Sequence, residues 1–170
     1  TWGDPTVIMA KEDPLAWEET ALCKVSDGTL MAHMRTGEHN VVQYRSEDGG
    51  RTWTGPTPVT EPGQQPGGAF ELANGNLMFT WGNRREPFGA AGMLSRDKGV
   101  TWDYEHRVSL AWDAPSGDCG YANGAQCPDG TIVVTYYRMP PSPDYRSQWR
   151  DSEIYILRFT EDPFVEAMNE

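Results

Sequence analysis

Features of several common functional classes are missing from this chain. No run of about 18 apolar residues occurs in the 170 residues, which excludes a transmembrane helix within the sequence. The three cysteines form no C-x-x-C pair and the three histidines have no metal-ligand spacing, so we predict no zinc site, disulfide framework or cofactor. Free or partly buried thiols are expected instead. The cysteines are Cys23, Cys119 and Cys127.

Basic residues are also scarce. The chain has 14 Lys and Arg against 25 Asp and Glu, for a formal net charge of -11 at pH 7. Such an acidic surface argues against nucleic acid and against an anionic membrane as partners. It would repel an anionic substrate as well, so such a ligand would need a local cluster of arginines. No signal-peptide pattern occurs, and the sequence leaves the localisation open.

Helix signals are poor, and the one candidate is a short turn after Pro163. The chain contains 18 Gly and 13 Pro, and aromatic residues make up 11% of it. Disordered chains combine Gly and Pro with few aromatics, so this mixture favours many short strands joined by tight turns. The composition therefore predicts an all-β protein with one sizeable core.

An octapeptide repeat is the strongest pattern in the sequence. SEDGGRTW, from Ser46 to Trp53, recurs 49 residues later as SRDKGVTW, from Ser95 to Trp102, with the shared pattern S-x-D-x-G-x-T-W. A period of this size indicates stacked supersecondary units such as propeller blades. The opening TWGDPTVI aligns with TWTGPTPV, so the chain is expected to begin inside a third copy.

Each repeat unit reads as a series of short strands. The first has strands near 19–25, 29–35, 41–46 and 52–59, and the second near 69–73, 76–82, 89–95 and 101–108. The third has strands near 122–127, 131–138 and 153–159 and lacks a fourth. Asp-Gly or Asn-Gly joins the first two strands of each unit, which favours type I′ hairpins. Segment 6–10 is a spare strand, which either belongs to a preceding blade or completes the third.

The octapeptides resemble the Asp-box, or bacterial neuraminidase repeat, of the sialidase superfamily, which folds as a six-bladed β-propeller. The resemblance implies one partial propeller domain over residues 1–170, with blades near 19–60, 69–110 and 122–159. Three blades cannot close a ring, so we expect the C-terminal half of a propeller. The octapeptide itself is interpreted as structural, because its Ser, Asp and Gly match turn chemistry.

Two further segments resemble sialidase motifs. WEETALCKVSDGTLMAHMR, from Trp17 to Arg35, is similar to the N-E-[ST] segment that precedes a D-G turn and an Arg at the end of the next strand. It places Glu19 and Arg35 at the family's Glu and Arg, with Glu18 where Asn is usual. GNRREPFGAAGMLSRDKGVTW supplies Arg84, or alternatively Arg85, as the Arg that precedes an Asp-box.

The third segment, DCGYANGAQCPDG, resembles the G-Y-S motif of the family. It places Tyr121 eight residues before Asp129, at the position of the nucleophilic tyrosine. Ala122 replaces the usual Ser, and Tyr137 stands where sialidases often end that strand in Glu. The family's first Arg and its acid/base Asp have no counterpart in this sequence.

The resemblance implies a retaining exo-glycosidase that removes terminal sialic acid or a related sugar. Tyr121 would attack the anomeric carbon, Glu19 would accept its proton, and Arg35 with Arg84 or Arg85 would hold the substrate carboxylate. With part of the family's site unmatched, the chain alone is expected to be nearly inactive.

Other interpretations remain open at this point. Tyr121 could be a core tyrosine, Glu19 and Arg35 a cross-strand salt bridge, and the two later arginines solvated loop charges. The corresponding function is a non-catalytic propeller module that binds glycan or protein, in which Tyr121 and Glu19 do not meet. A second half-propeller, or self-association of two copies, is a further candidate partner.

Overall fold

The computed structural model describes residue 3 and residues 5–9, 17–141 and 151–168. The described chain is almost entirely β, which confirms the predicted fold class. The first four strands are β1 (Trp17–Lys24), β2 (Leu30–Thr36), β3 (Val41–Ser46) and β4 (Thr54–Pro58). The next four are β5 (Gln64–Glu71), β6 (Leu77–Asn83), β7 (Gly89–Ser95) and β8 (Val108–Ala111). The last three are β9 (Cys119–Gln126), β10 (Ile132–Arg138) and β11 (Glu153–Phe159).

These strands form three antiparallel sheets, which follow one another along the chain. The first sheet has the order β1-β2-β3-β4, the second β5-β6-β7-β8 and the third β9-β10-β11. The first strand of each sheet is its inner strand, because β5 contacts both β1 and β9. A short helix, α1 (Asp162–Ala167), follows the third sheet, as the turn predicted after Pro163 anticipated. No helix in the described ranges is long and apolar enough to cross a membrane.

The core lies between successive sheets. Phe79 and Trp81 of the second sheet pack with Val41 of the first, while Met78 packs with Ile132 of the third. Backbones approach closely where the inner ends of the second and third sheets meet: a Cβ added at Gly82 would lie 2.4 Å from the Cα of Gly120. Only glycine allows this approach, which brings the cavity-lining ends of two sheets together.

The turns between the first two strands of each sheet differ from the type I′ hairpins expected. In all three, the glycine alone has a positive φ: 97° at Gly28, 86° at Gly75 and 89° at Gly130. Hydrogen bonds such as Gly28 N–H to Val25 C=O (2.9 Å) and Val25 N–H to Thr29 C=O (2.9 Å) define a three-residue loop. This is a type I turn followed by a left-handed glycine, the other common hairpin connection.

Both octapeptides form the same turn, as the structural interpretation predicted. Asp97 accepts hydrogen bonds from the backbone N–H of Thr101 (2.9 Å) and from its hydroxyl (2.6 Å). Asp48 accepts the equivalent pair from Thr52 (2.9 and 2.7 Å). Ser95 Oγ accepts from the N–H of Gly99 at 2.8 Å, which closes the loop. The Ser, Asp and Thr side chains of the motif therefore make these hydrogen bonds within the motif itself.

Two predicted strands are wrong in part. The fourth strand of the second sheet is β8, not 101–108, because Tyr104 and Arg107 close a turn held by Asp103, which pairs with His106 at 2.8 Å. Segment 6–9 forms no strand, and residue 10 lies outside the described residues. Ile8 and Met9 instead pack against the apolar face of the first sheet that faces away from the second.

Candidate active site

A β-bulge near the start of each inner strand positions the site. Between two consecutive paired positions, the inner strand advances by three residues while its neighbour advances by two. The inner strand therefore contains one extra residue. The bulges contain Glu18 and Glu19 in β1, and Tyr121 and Ala122 in β9. A bulge re-aims side chains at the rim of a sheet, which is how two inner strands present polar groups to one space.

Tyr121 and Glu19 meet across two sheets. The Tyr121 hydroxyl donates a hydrogen bond of 2.5 Å to Glu19 Oε1. The backbone φ of Tyr121 is +52°, a conformation that costs free energy for a non-glycine residue, and such strain is often found at functional sites. Its side chain remains 48% exposed, so it is no buried core tyrosine. The hydroxyl is thus hydrogen-bonded to a carboxylate and still open to a ligand.

Arg35 lies beside this pair and is held by two carboxylates. Its Nη1 donates to both carboxylate oxygens of Glu19 at 3.3 Å, and its Nε forms an ion pair with Glu18 Oε2 at 2.6 Å. The Arg35 side chain is 16% exposed. The cross-strand ion pair considered from the sequence therefore exists, and it also fixes Glu19 against Tyr121.

Arg84 reaches the same space from the second sheet. Its Nε donates to the backbone carbonyl of Cys119 at 3.0 Å, and its Nη2 donates to the Tyr137 hydroxyl at 3.2 Å. The Tyr137 hydroxyl in turn donates to Asp118. The rings of Tyr137 and Tyr121 pack with their centroids 5.7 Å apart, so this network adjoins the Tyr121–Glu19 pair.

These groups line one open cavity of about 630 Å³. Its lining includes charged and tyrosine side chains from all three sheets: Glu19, Arg35, Arg84, Asp118, Tyr121 and Tyr137. Arg85, the alternative to Arg84 in the sequence, does not join them. It forms an exposed ion pair with Glu61 at 2.9 Å.

The electrostatics keep tyrosine neutral and glutamate ionised at rest. Burial raises the pKa of Tyr121, and the hydrogen bond to Glu19 together with the negative charge of that carboxylate raises it further. Burial opposes ionisation of Glu19, but hydrogen bonds from Tyr121 and Arg35 outweigh it and lower the pKa of Glu19. An ionised carboxylate therefore stands ready to accept the tyrosine proton.

The sequence-level comparison gives the family. A family profile described as BNR repeat-like domain matches residues 14–134, more than half of the chain. The chain belongs to this family. No curated protein matches the sequence.

Solved structures show which architecture this BNR repeat-like chain shares. A protein of unknown function from Dyadobacter fermentans matches with a TM-score of 0.68 and 21% identity, covering 88% of this chain and 39% of its own. The intramolecular trans-sialidase from Ruminococcus gnavus matches with a TM-score of 0.64 and 20% identity, covering 94% and 35%. An α-L-arabinofuranosidase from Fusarium graminearum matches with a TM-score of 0.60 and 16% identity, covering 88% and 46%.

These likenesses concern the fold. The three sheets match part of sialidase-like propellers, which confirms the predicted architecture. The BNR repeat-like chain spans 39% of the Dyadobacter protein and 35% of the trans-sialidase, less than half of either. Identities this low do not transfer an activity.

Sequence reasoning did not identify Asp118 and Tyr137, which line the cavity, as members of the site. Tyr137 was noted as a departure from the family, and Asp118 was not considered. The Asp129-Gly130 turn holds the signal that could have found Tyr137. Counting back from that hairpin pairs Tyr137 with Tyr121, and the bulge in β9 shifts the observed partner by one residue to Gly120.

Within the described ranges, no group of three His, Cys, Asp or Glu residues is placed to hold a metal ion.

Proposed function

We propose that this chain carries part of the active site of a sialidase-like retaining glycosidase, with Tyr121 as nucleophile and Glu19 as its base. The observation that carries the proposal is the hydrogen bond of 2.5 Å between the two side chains, beside Arg35 and in the cavity that Arg84 also lines. A non-catalytic module would have no need to bring Tyr121 and Glu19 together, so their contact favours the catalytic interpretation.

The residue types suit a sugar that carries a carboxylate next to its anomeric carbon. A carboxylate nucleophile approaching that carbon would meet the substrate's own negative charge. A neutral tyrosine avoids the repulsion, and glycosidases with a tyrosine nucleophile are a recognised exception to the two-carboxylate scheme. The raised pKa of Tyr121 means that it approaches neutral and needs a base during the attack.

The step can be written with its atoms balanced. The Tyr121 oxygen forms a bond to the anomeric carbon, the bond from that carbon to the leaving group breaks with its electron pair, and the phenolic proton moves to Glu19. Arg35 binds the substrate carboxylate from the first sheet and Arg84 binds it from the second, and each guanidinium can donate paired hydrogen bonds. Water then forms a bond to the anomeric carbon, the bond from that carbon to the Tyr121 oxygen breaks, and Glu19 returns the proton to that oxygen. The proton that the water loses passes to the departed leaving group through solvent.

Carbohydrate is the ligand class that the structural relatives favour. The trans-sialidase structure was solved with oseltamivir carboxylate, and a related structure of the Fusarium arabinofuranosidase was solved with arabinobiose. Efficient turnover by this chain is not expected, because residues that would match the family's first arginine and its acid/base aspartate are not among those identified.

Covalent trapping tests the nucleophile without a general acid. A sialic acid with fluorine at the anomeric carbon and at its neighbour loses fluoride unaided, while the second fluorine slows release of the sugar. We expect mass spectrometry of peptides to find the sugar on Tyr121 of the intact chain, and to find none in Tyr121→Phe.

Tyr155→Phe is the matched control, because it removes another tyrosine hydroxyl from the same sheet outside the cavity. It should be labelled like the wild-type chain. Labelling at another residue, labelling that persists in Tyr121→Phe, or no labelling of the wild-type chain would each contradict the proposal.

A further inference from the structure

Arg84 and Asp118 line the same cavity with a tyrosine hydroxyl between them. Arg84 Nη2 donates to the Tyr137 hydroxyl at 3.2 Å, and that hydroxyl donates to Asp118. No carboxylate of the described residues forms an ion pair with Arg84. Since both groups are half-buried, the hydroxyl separates two charges that would otherwise attract each other strongly.

The separation leaves the Arg84 guanidinium fixed but not neutralised. Its Nε edge is anchored on the backbone carbonyl of Cys119 at 3.0 Å, which is a neutral acceptor. Tyr137 can donate to Asp118 while accepting from Arg84 only as a neutral phenol. Burial and the hydrogen bond to Asp118 raise the pKa of Tyr137, which keeps the phenol in that form.

A second arrangement of the same three groups shows the alternative. At the outer side of the third sheet, Arg138 donates to the Tyr155 hydroxyl, and Tyr155 donates to Glu153 at 2.7 Å. Here the arginine also contacts Glu153 at 3.5 Å and Asp113 at 2.8 Å. Arg138 is thus paired with carboxylates of its own chain, whereas Arg84 is paired with no carboxylate among the residues that the structure describes.

We propose that Tyr137 is a specificity-determining residue: by holding Asp118 away from Arg84, it reserves the guanidinium for an anionic group of the ligand. Without this hydroxyl, Asp118 would pair with Arg84 and the cavity would lose its positive wall. The inference rests on the proposed function, because it assumes that a sugar acid is the ligand. It assigns Tyr137 and Asp118 opposite effects on that ligand.

The test is specific because the Tyr137 and Asp118 substitutions should change the affinity for the acid in opposite directions. The probes are the didehydro analogue of sialic acid, whose carboxylate is ionised, and its uncharged methyl ester, with dissociation constants measured by NMR titration of the intact chain. In Tyr137→Phe we expect affinity for the acid to fall about tenfold, because an ion pair replaces the open guanidinium. In Asp118→Asn we expect it to rise about threefold, since a nearby negative charge is removed. Affinity for the ester should change less than about twofold in both.

The double variant and a control complete the design. Asp118→Asn with Tyr137→Phe should recover most of the affinity that Tyr137→Phe loses, because no carboxylate remains to capture Arg84. Tyr155→Phe breaks the comparable chain outside the cavity and should leave both affinities unchanged. Thermal unfolding checks that each variant is folded. If Tyr137→Phe does not fold, Asp118→Asn still separates a gain from a loss.

Several results would overturn the inference. These are a loss of acid affinity in Asp118→Asn, equal losses for acid and ester in Tyr137→Phe, or no binding of the acid by the wild-type chain. Failure of the proposed function is recognised separately. If the opposite effects are observed but Tyr121 is not trapped, the cavity binds sugar acids without the proposed nucleophile. If Tyr121 is trapped but both substitutions change the affinity for the acid in the same direction, the role given to Tyr137 is wrong and the proposed nucleophile stands.

Discussion

The octapeptide end of the sheets and their cavity end are built in opposite ways. At the octapeptide end, Asp97 is satisfied by Thr101, four residues away, through hydrogen bonds of 2.9 and 2.6 Å. At the cavity end, Tyr121 finds its partner Glu19 102 residues away, on another sheet. One end uses its polar groups to close a turn, while the other leaves a strained tyrosine half-exposed.

The difference separates what local sequence determines from what the assembled fold determines. The hydrogen bonds that Ser, Asp and Thr make to close the turn lie within eight residues, so substitutions of these residues should affect stability. A contact between sheets contributes little to forming either sheet, so its substitutions should affect ligand chemistry. A strained residue such as Tyr121, which adds little to the stability of its own sheet, is therefore a candidate for a functional role.

Glu19→Gln should give the largest effect. The amide cannot accept the Tyr121 proton, so trapping by the fluorinated sugar should slow about 10²- to 10⁴-fold, which is the usual contribution of a positioned base. The thermal midpoint should stay close to that of the wild-type chain, since Glu19 is partly exposed. Time-resolved mass spectrometry and a thermal melt measure the two quantities. A large drop in the thermal midpoint with unchanged trapping would show that Glu19 serves stability and not ligand chemistry, which contradicts the role given to the cavity end.

Gly99→Ala should be the most destabilising change at the octapeptide end. The φ of +75° is unfavourable for alanine, and its Cβ would lie 2.5 Å from Sδ of the fully buried Met31. We expect a loss of about 2–4 kcal/mol in the free energy of unfolding, from backbone strain plus overpacking.

Gly50 is the matched control for Gly99, because it has the same place in the other octapeptide. Its φ is +87°, but a Cβ would meet nothing closer than 3.5 Å. Gly50→Ala should therefore cost about 1–2 kcal/mol, from strain alone. Equal losses for the two variants in urea unfolding would show that packing between sheets contributes nothing at Gly99.

Asp97→Ala should cost about 1–2 kcal/mol through the lost turn hydrogen bonds, without changing ligand affinity. Burial opposes ionisation of Asp97, but the hydrogen bonds from Thr101 and Ser95 outweigh it and lower the pKa of Asp97. The stabilisation is present above the unfolded-state pKa and is lost as pH falls through the folded-state pKa. Urea unfolding at a series of pH values should show a smaller decrease below about pH 4 in the variant than in the wild-type chain. Parallel curves would contradict the role given to Asp97.

The titration of Tyr121 should show the smallest effect. Burial, then the hydrogen bond and charge of Glu19, raise the pKa of Tyr121, so Glu19→Gln should lower it. The chemical shift of the labelled tyrosine ring, followed at alkaline pH, reports this change. Tyr155→Phe simplifies the spectrum and leaves the cavity unaltered. A Tyr121 pKa that does not respond to Glu19→Gln would mean that the contact does not persist in solution.

Sequence patterns predicted most of the fold because it is locally encoded. Three strands match their predicted bounds, at 41–46, 89–95 and 153–159, since turn residues flank each of them. The fourth strand of the second sheet was misplaced because Asp103 holds a turn with His106, and the Tyr104 hydroxyl bonds Gln64 at the start of β5. Such contacts leave no periodic trace in the sequence.

The candidate site divides in the same way. Tyr121, Glu19, Arg35 and Arg84 could be proposed from motifs that the sequence displays. The bulges that bring them to one cavity, the close approach of Gly82 to Gly120 and the position of Asp118 depend on how sheets pack. Arg84 and Arg85 are adjacent in sequence, and only their different neighbours, Tyr137 and Glu61, distinguish them.

A crystal structure of the intact chain with the didehydro sialic acid would show directly how the ligand lies against Tyr121 and the two arginines. The proposal predicts that the Tyr121 hydroxyl oxygen lies about 3–3.5 Å from the anomeric carbon, with the ligand carboxylate on Arg35 and Arg84. A ligand bound with its carboxylate away from both arginines, or with its anomeric carbon out of reach of Tyr121, would contradict it.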